Sequence, residues 1–278
     1  MPADILKKIL RPKRTPKILT VTAREQVTPH MIRLTLQSPE LEGVDPDCAG
    51  AHCKIMVPAA GQTREAFVAQ LEDGPKPITR TYTVRAARPA LGEIDIDFAD
   101  HGDEGPASAF ARAAQPGDVM GFNGPAKPKL TEFDADWYLI AADMSALPVA
   151  AATLEALPKD AKGLAVFEIT TAEDRQEIDA PPGVEQHWMV HGDPSQASRA
   201  QLELIEGYDW PEGRVKTMIA GENAVIRDLR VLVRAERGVD RKDGYASGYW
   251  KIGLTEDGHQ QVKRGDAEAD EARIASMS

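Results

Sequence analysis

The sequence is poor in cysteine, in aromatic residues and in basic charge. Its two cysteines, Cys48 and Cys53, cannot build a disulfide framework in 278 residues, and they lack the further ligands of a zinc site. We therefore predict free thiols in a reducing cytoplasm and no bound metal. Lysine and arginine total 33 against 44 aspartates and glutamates, a net charge of −11, which argues against a nucleic-acid-binding protein.

Long apolar segments are missing as well. No run approaches the ~20 residues that cross a bilayer, so we predict a cytoplasmic protein without membrane insertion. Residues 1–15 form a basic extension, in which Ile5–Leu10 is predicted as a short helix that Pro12 ends. The extension lacks the apolar stretch and cleavage site of an export signal. Contact with a membrane surface is the alternative interpretation.

Residues 16–126 are predicted to form a small β-barrel domain. Short runs rich in Val, Ile and Thr are separated by Pro, Gly and Asp, and Ile94–Phe98 alternates strictly between apolar and acidic residues. Six such strands favour a closed barrel. A helix that opens at Gly105-Pro106 and continues to Ala114 interrupts them. The predicted strands are Lys17–Thr22, Met31–Gln37, Gly50–Val57, Thr81–Val84, Glu93–Phe98 and Asp118–Phe122.

Residues 136–254 have the pattern of a parallel α/β domain. Strands that alternate with helices predict a Rossmann-like sheet with crossover helices. The polar, turn-rich segment 125–136 marks the boundary between the domains, and 255–278 is predicted as a charged helix or tail. The predicted strands are Trp137–Ala142, Ala165–Ile169, Glu185–Val190 and Val215–Ala220, and the predicted helices are Leu147–Leu157, Ser195–Ile205 and Asn223–Arg237.

A cationic and aromatic motif lies on the fourth predicted barrel strand. Within Arg80-Thr81-Tyr82-Thr83-Val84-Arg85, alternation places Arg80 and Tyr82 on one face and Thr81 and Thr83 on the other. A flavin requires an aromatic plane against its ring, hydrogen bonds to its polar edge and a cation for its pyrophosphate, and these residue types supply all three. An amphipathic strand with surface arginines is the alternative.

A second motif follows the next barrel strand. The segment Asp97–Gly102 ends that strand, and Gly105-Pro106-Ala107-Ser108 begins a helix three residues later. The free N–H groups and positive dipole of a helix start can bind a pyrophosphate, and Ser108 adds a hydroxyl. An ordinary helix start has the same appearance, so the combination with Arg80–Arg85 is what favours a flavin site.

Taken together, the order of motifs resembles the siderophore-interacting proteins, which are FAD-dependent ferric-siderophore reductases of the ferredoxin-reductase superfamily. The resemblance spans roughly residues 16–262. The motifs that carry it are Val27–Met31, Arg80–Arg85, His101-Gly102, Gly105–Ser108, Pro116–Asp118, Gly124-Pro125, Ala142–Pro148, Ala220–Glu222 and Gly248–Gly253.

The resemblance implies a six-stranded antiparallel Greek-key barrel that binds FAD, followed by a Rossmann-like domain that binds NADH or NADPH transiently. The residues that it implies for cofactor binding are Arg80, Tyr82, Thr83, Asp97, His101, Gly102, Ala107, Ser108, Asp143, Ser145, Ala146 and Trp250. Those that it implies for a basic patch facing the ferric siderophore are Lys54, Lys251 and Arg241 or its neighbour Lys242.

Two features concern the electron donor. The turn Ala142–Pro148 differs from the family's usual Gly-Asp-Glu-Thr-Ala-x-Pro, with alanine for the first glycine and Met144 for an acid. No G-x-G-x-x-G fingerprint follows Trp137–Ala142, so tight dinucleotide binding is not expected. The resemblance places a transient nicotinamide site near Asp143–Ala146 and Gly221-Glu222. Ferredoxin remains open as the donor.

The implied reaction needs no catalytic side chain, because the flavin takes hydride and gives single electrons to ferric iron. We expect a monomer. A general flavin or ferric reductase and a non-catalytic flavoprotein that binds iron chelates are the alternatives. The scattered histidines His52, His187 and His191 are predicted to have structural or surface roles.

Overall fold

The structure is a computed structural model that describes residues 16–100, 105–255, 258, 259 and 265. His101 and Gly102, the predicted helix Ile5–Leu10 and most of the predicted tail 255–278 lie outside these residues. The barrel strands are β1 Lys17–Thr28, β2 Met31–Gln37, β3 His52–Val57, β4 Ile78–Arg88, β5 Glu93–Ala99 and β6 Val119–Asn123, and the helices beside them are α1 Arg64–Asp73 and α2 Pro106–Ala113.

The six strands close into a barrel in the order β1-β2-β5-β4-β3-β6, and every neighbouring pair is antiparallel. Strands β3, β4 and β5 are consecutive neighbours, and β6 returns to pair with β3, the first of them, which is the arrangement of a Greek key. The predicted barrel is therefore confirmed. Strict alternation in β5 explains its place: Ile94, Ile96 and Phe98 fill the interior, while arginines pair with Asp95 and Asp97.

The second half of the chain forms a five-stranded parallel sheet in the order β11-β10-β7-β8-β9, as predicted for a Rossmann-like fold. Apolar cores cover both of its faces, which explains the continuous apolar run of β7. The strands are β7 Trp137–Asp143, β8 Lys162–Ile169, β9 Gly183–Val190, β10 Val215–Glu222 and β11 Gly244–Trp250, and the helices are α3 Leu147–Ala156, α4 Ala200–Glu206 and α5 Asn223–Val231.

The structure adds a helix and a strand to the prediction and shortens two of the predicted helices. Helix α1 and strand β11 are absent from the sequence prediction. α5 ends at Val231 rather than continuing to Arg237, and Leu232–Glu236 follows it as a π-helix. The predicted helix over Ser195–Ile205 begins only at Ala200, after a turn in which the Asp193 carboxylate accepts hydrogen bonds from Ser195.

The barrel docks on the sheet through both apolar and polar contacts. Met31, at the start of β2, is fully buried within the core of the second domain. Arg85 of β4 makes a bidentate ion pair with Glu155 of α3, at 2.7 and 2.6 Å. These contacts fix the barrel against the sheet, with β4 at the boundary between the two domains. No helix among the described residues is long and apolar enough to span a membrane.

Candidate functional site

The predicted alternation along β4 is what the structure shows. Arg80 lies opposite Ile55 and Tyr82 lies opposite Cys53, and these two partners are buried in the barrel interior. Tyr82 is half-buried, and its ring packs against Phe98 with 4.6 Å between centroids. The Arg80 guanidinium donates to the Thr79 carbonyl at 3.0 Å and stays partly exposed. The ring and the cation thus share one face of one strand.

The outer face of β4 meets the second domain. Lys54 of β3 donates a hydrogen bond from its ammonium to the Thr81 hydroxyl. Thr83 is buried and hydrogen-bonds with Tyr249 of β11. Burial, together with the neighbouring Tyr245 and the charge of Asp143, raises the pKa of Tyr249 well above its ordinary value, although the hydrogen bond with Thr83 acts in the opposite direction, so the Tyr249 hydroxyl stays protonated and neutral.

The start of α2 has the features that the sequence predicted for an anion site. Gly105 is the N-cap residue, Pro106 follows, and no side chain in the described part of the chain caps the helix. Ala107 and Ser108 are buried, and the Ser108 hydroxyl donates to the Gly105 carbonyl at 3.0 Å. The remaining donors are backbone N–H groups of the first turn. Such a donor set fits the pyrophosphate of FAD.

The Asp97 side chain connects two neighbouring strands of the barrel. Its buried carboxylate accepts two hydrogen bonds from the Arg33 guanidinium, at 2.7 and 2.8 Å. A bidentate pair of this kind fixes β5 to β2. The carboxylate is thereby directed at Arg33, and Asp97 lies four residues before the undescribed segment that begins at His101.

Four of the predicted residues meet at the carboxyl end of β7. The Asp143 carboxylate accepts hydrogen bonds from the Ser145 amide at 2.9 Å, the Ser145 hydroxyl at 2.6 Å and the Ala146 amide at 3.2 Å. The Trp250 indole donates to its other oxygen at 2.7 Å. Gly221, with φ +150°, faces this group, and a Cβ there would lie 2.7 Å from the Asp143 carboxyl carbon.

Carboxylates occupy this edge of the sheet at three neighbouring strands. Glu222, after β10, caps α5 by accepting hydrogen bonds from the Ala224 and Val225 amides at 2.6 and 3.1 Å. Glu168 of β8 lies beside Asp143 in the strand register. Burial, together with the charge of Asp143, raises the pKa of Glu168. The edge where a dinucleotide pyrophosphate would bind in a Rossmann fold is therefore already filled by negative groups.

The structure places two of the predicted substrate residues, Lys54 and Lys251, beside elements that meet through Thr83 and Tyr249, and it places the third at the other end of β11. Lys54 lies at Thr81 and Lys251 lies two residues after Tyr249, which contacts Thr83, and residues two apart on a strand are ~7 Å from one another. Arg241 precedes β11 at its opposite end, ~20 Å from Lys251 along seven residues of strand.

The sequence prediction missed two residues that shape the site, Phe98 behind Tyr82 and Tyr249 against Thr83. Phe98 could have been found from the strict alternation of β5, which sets it on the interior face of the barrel. Tyr249 could not, because its contact depends on how two domains dock.

Both cysteines are buried free thiols that lie beneath this site. Burial raises the pKa of Cys48 to about 11 and that of Cys53 further still, so both stay protonated at neutral pH. We expect neither to react with a disulfide reagent in the native protein, whereas both should react at once in denaturant. Rapid labelling of the native protein, assigned with Cys48→Ala and Cys53→Ala, would contradict this burial.

Comparison with known proteins confirms the resemblance. The model of the siderophore-interacting protein family matches residues 135–253, and that of the siderophore-interacting FAD-binding domain matches residues 20–129. The ferric vibriobactin reductase ViuB of Vibrio cholerae serotype O1 is 33% identical over 257 residues, covering 89% of this chain and 94% of that protein. The siderophore-interacting protein SipS from Aeromonas hydrophila is 35% identical with a TM-score of 0.79, covering 92% of this chain and 100% of that one.

A more distant likeness shows the shared fold alone. The ferredoxin-NADP+ reductase from Plasmodium falciparum has 12% identity and a TM-score of 0.57, covering 84% of this chain and 96% of that one. The two family models together extend over both the barrel and the sheet. With its FAD-binding barrel and its parallel α/β half, the chain belongs to the siderophore-interacting protein family.

Proposed function

We propose that the protein is an FAD-dependent ferric-siderophore reductase that releases ferrous iron in the cytoplasm. FAD, when bound, supplies the chemistry that converts hydride from NADH or NADPH into single electrons for Fe(III). The observation that carries the proposal is that the half-exposed Tyr82 ring and the α2 start without a side-chain cap rest on the same barrel core. The kinship with a ferric vibriobactin reductase supports the reaction.

The residues of the chain bind and orient rather than react. Tyr82 supports the flavin ring, Thr83 lies at its polar edge, and Arg80 with the amides of Ala107 and Ser108 holds the pyrophosphate. The siderophore is expected to bind near Lys54 and Lys251, at the boundary between the two domains. Ferrous iron is held less tightly by anionic oxygen ligands than ferric iron, so reduction itself favours release. No general acid or base is required.

We propose the domain division in the same terms. The barrel strands end at Asn123 and the sheet begins at Trp137, which supports an FAD-binding domain over 16–126 and a nicotinamide-binding domain over 136–254. The basic extension 1–15 and the tail 255–278 flank them. We expect a monomer, for which light scattering would give a mass of 30.2 kDa.

The acidic edge formed by Asp143, Glu168 and Glu222 bears on the choice of donor. NADPH carries an additional phosphate, so like-charge repulsion should make NADH the better donor, by about tenfold in kcat/KM. Glu168→Gln should reduce the ratio of kcat/KM for NADH to kcat/KM for NADPH, because it removes one negative charge from this edge. Because the pKa of Glu168 is raised, this carboxylate loses its negative charge at a higher pH than an ordinary glutamate does, so the KM for NADPH should decrease as the pH falls.

The donor preference is measured by steady-state kinetics at constant ionic strength. Glu65→Gln is the matched control, because it removes one negative charge at an exposed position on α1, away from the sheet. A preference for NADPH, or a Glu168→Gln variant whose donor ratio equals that of Glu65→Gln, would show that the edge does not select the donor.

Anaerobic stopped-flow spectroscopy tests the proposed function as a whole. The flavin should be bleached by NADH, NADPH or reduced ferredoxin, and its absorbance should return when a ferric siderophore is mixed in. Reoxidation by simple ferric chelates at the same rate would favour a general ferric reductase. A flavoprotein that binds the chelate but is not reoxidised by it would be a non-catalytic binding protein.

A further inference from the structure

A buried carboxylate, Asp174, joins the two domains by contacting the β1–β2 hairpin of the barrel. Asp174, in the turn after β8, has no exposed surface. From the barrel it accepts hydrogen bonds from the Thr28 hydroxyl at 2.9 Å, the His30 amide at 2.9 Å and His30 Nδ1 at 2.8 Å. From its own turn it accepts the Thr171 amide at 2.9 Å and the Thr171 hydroxyl at 3.0 Å. We call these four residues the Asp174 cluster.

In the Asp174 cluster, hydrogen bonds from protein groups take the place of water around a buried carboxylate. Burial by itself raises the pKa of Asp174, but the hydrogen bonds from His30 and Thr28 lower it below its ordinary value, so the group is ionised. An ionised carboxylate with five donors tolerates little displacement, because each lost donor leaves buried charge unpaired. The β1–β2 hairpin is therefore fixed on the second domain.

The same hairpin continues into the FAD side of the barrel. The His30 carbonyl accepts a hydrogen bond from the Asp100 amide at 2.9 Å, and the Asp100 carboxylate forms an ion pair with Arg112 in the last turn of α2. A continuous set of hydrogen bonds thus runs from Asp174 through His30 and Asp100 to the helix whose first turn is the proposed pyrophosphate site.

We propose that Asp174 is a positioning residue that couples docking of the second domain to retention of FAD. Because His30 of the Asp174 cluster is hydrogen-bonded to Asp100, and Asp100 is paired with Arg112 of α2, loosening the cluster frees the element that binds the cofactor. Linkage makes the effect reciprocal, so bound FAD must also tighten the contact between the domains. Asp174 contributes in this way without touching the cofactor.

The inference rests on the proposed FAD site at α2, and two isosteric variants separate it from a general effect on stability. Thr28→Val removes one hydrogen bond to Asp174 between the domains. Thr35→Val removes an equivalent 2.9 Å hydrogen bond to Asp95, with both residues in the barrel domain. Asp174→Asn is the stronger change. The readouts are the Kd of the apo-protein for FAD, the melting temperature, and tryptic cleavage after Lys129 in the segment between the domains, with and without FAD.

We expect Thr28→Val to weaken FAD binding by about fivefold and Asp174→Asn by more than tenfold, with Thr35→Val within twofold of the parent at a similar loss of melting temperature. FAD should protect Lys129 in the parent and less so in Thr28→Val. Equal FAD affinity in Thr28→Val and Thr35→Val would overturn the coupling, even if Asp174→Asn does not fold. If Tyr82→Ala and Arg80→Ala keep FAD while Thr28→Val loses it, the coupling stands and the proposed site is wrong.

Discussion

Replacing Tyr82 by alanine is expected to weaken FAD binding by between about 5-fold and 150-fold, since stacking on an aromatic side chain contributes ~1–3 kcal/mol. The ring is held against Phe98, with 4.6 Å between centroids, before any ligand arrives. A ring fixed in this way loses little conformational freedom on binding, so most of its stacking energy is realised as affinity. The quenching of flavin fluorescence by the apo-protein measures the effect.

Arg80→Ala should weaken binding by a comparable factor, because hydrogen bonds to charged groups contribute ~1.5–3 kcal/mol. Tyr82→Phe keeps the ring and should stay close to the parent. Arg64→Ala is the charge control, since Arg64 lies on α1 with only a 3.4 Å bond to the Gly117 carbonyl. If Tyr82→Ala and Arg80→Ala both carry FAD through gel filtration as the parent does, the flavin site is elsewhere.

The barrel could be predicted because the order of apolar and polar residues along each strand shows which side chains are buried. In β5 the alternation of Ile94, Ile96 and Phe98 with acids gives the two faces directly. Helix α1 leaves a far weaker pattern, because only Phe67 and Leu71 of its ten residues are buried. Strand β11 contains Tyr245, Tyr249 and Trp250, which favour strands, but its two glycines and lack of branched aliphatic residues leave no apolar run or alternation by which the sequence would reveal it, and its pairing with β10 completes it.

In the candidate site as well, contacts between residues close in sequence could be predicted, whereas contacts between distant residues could not. The turn that joins Asp143 to Ser145 and Ala146 is local, and its motif was legible in the sequence. The contact of Asp174 with His30 joins residues 144 positions apart, and no periodicity reports it. The separation of Arg241 from Lys251 depends on the intervening residues being a strand, which is the element that the sequence prediction lacked.

Substrate capture is the second expectation with a large effect. Ferric catecholate and hydroxycarboxylate siderophores are commonly anionic, and a protein with a net charge of −11 repels them at long range. Lys54 is exposed beside Thr81, and Lys251 follows the aromatic pair at the end of β11. Both lysines neighbour elements that meet at the domain boundary through Thr83 and Tyr249, so we expect them to offset this repulsion locally.

Lys54→Ala and Lys251→Ala should each slow reduction of an anionic ferric chelate by about three- to tenfold at low salt, and they should flatten its dependence on ionic strength. Reduction of a neutral ferric hydroxamate should change much less. Lys159→Ala, at an exposed loop before β8, controls for the change in net charge. Arg241→Ala should match that control, because Arg241 lies at the far end of β11. Equal losses for both classes of chelate would mean that the lysines support the fold or the flavin rather than the encounter with substrate.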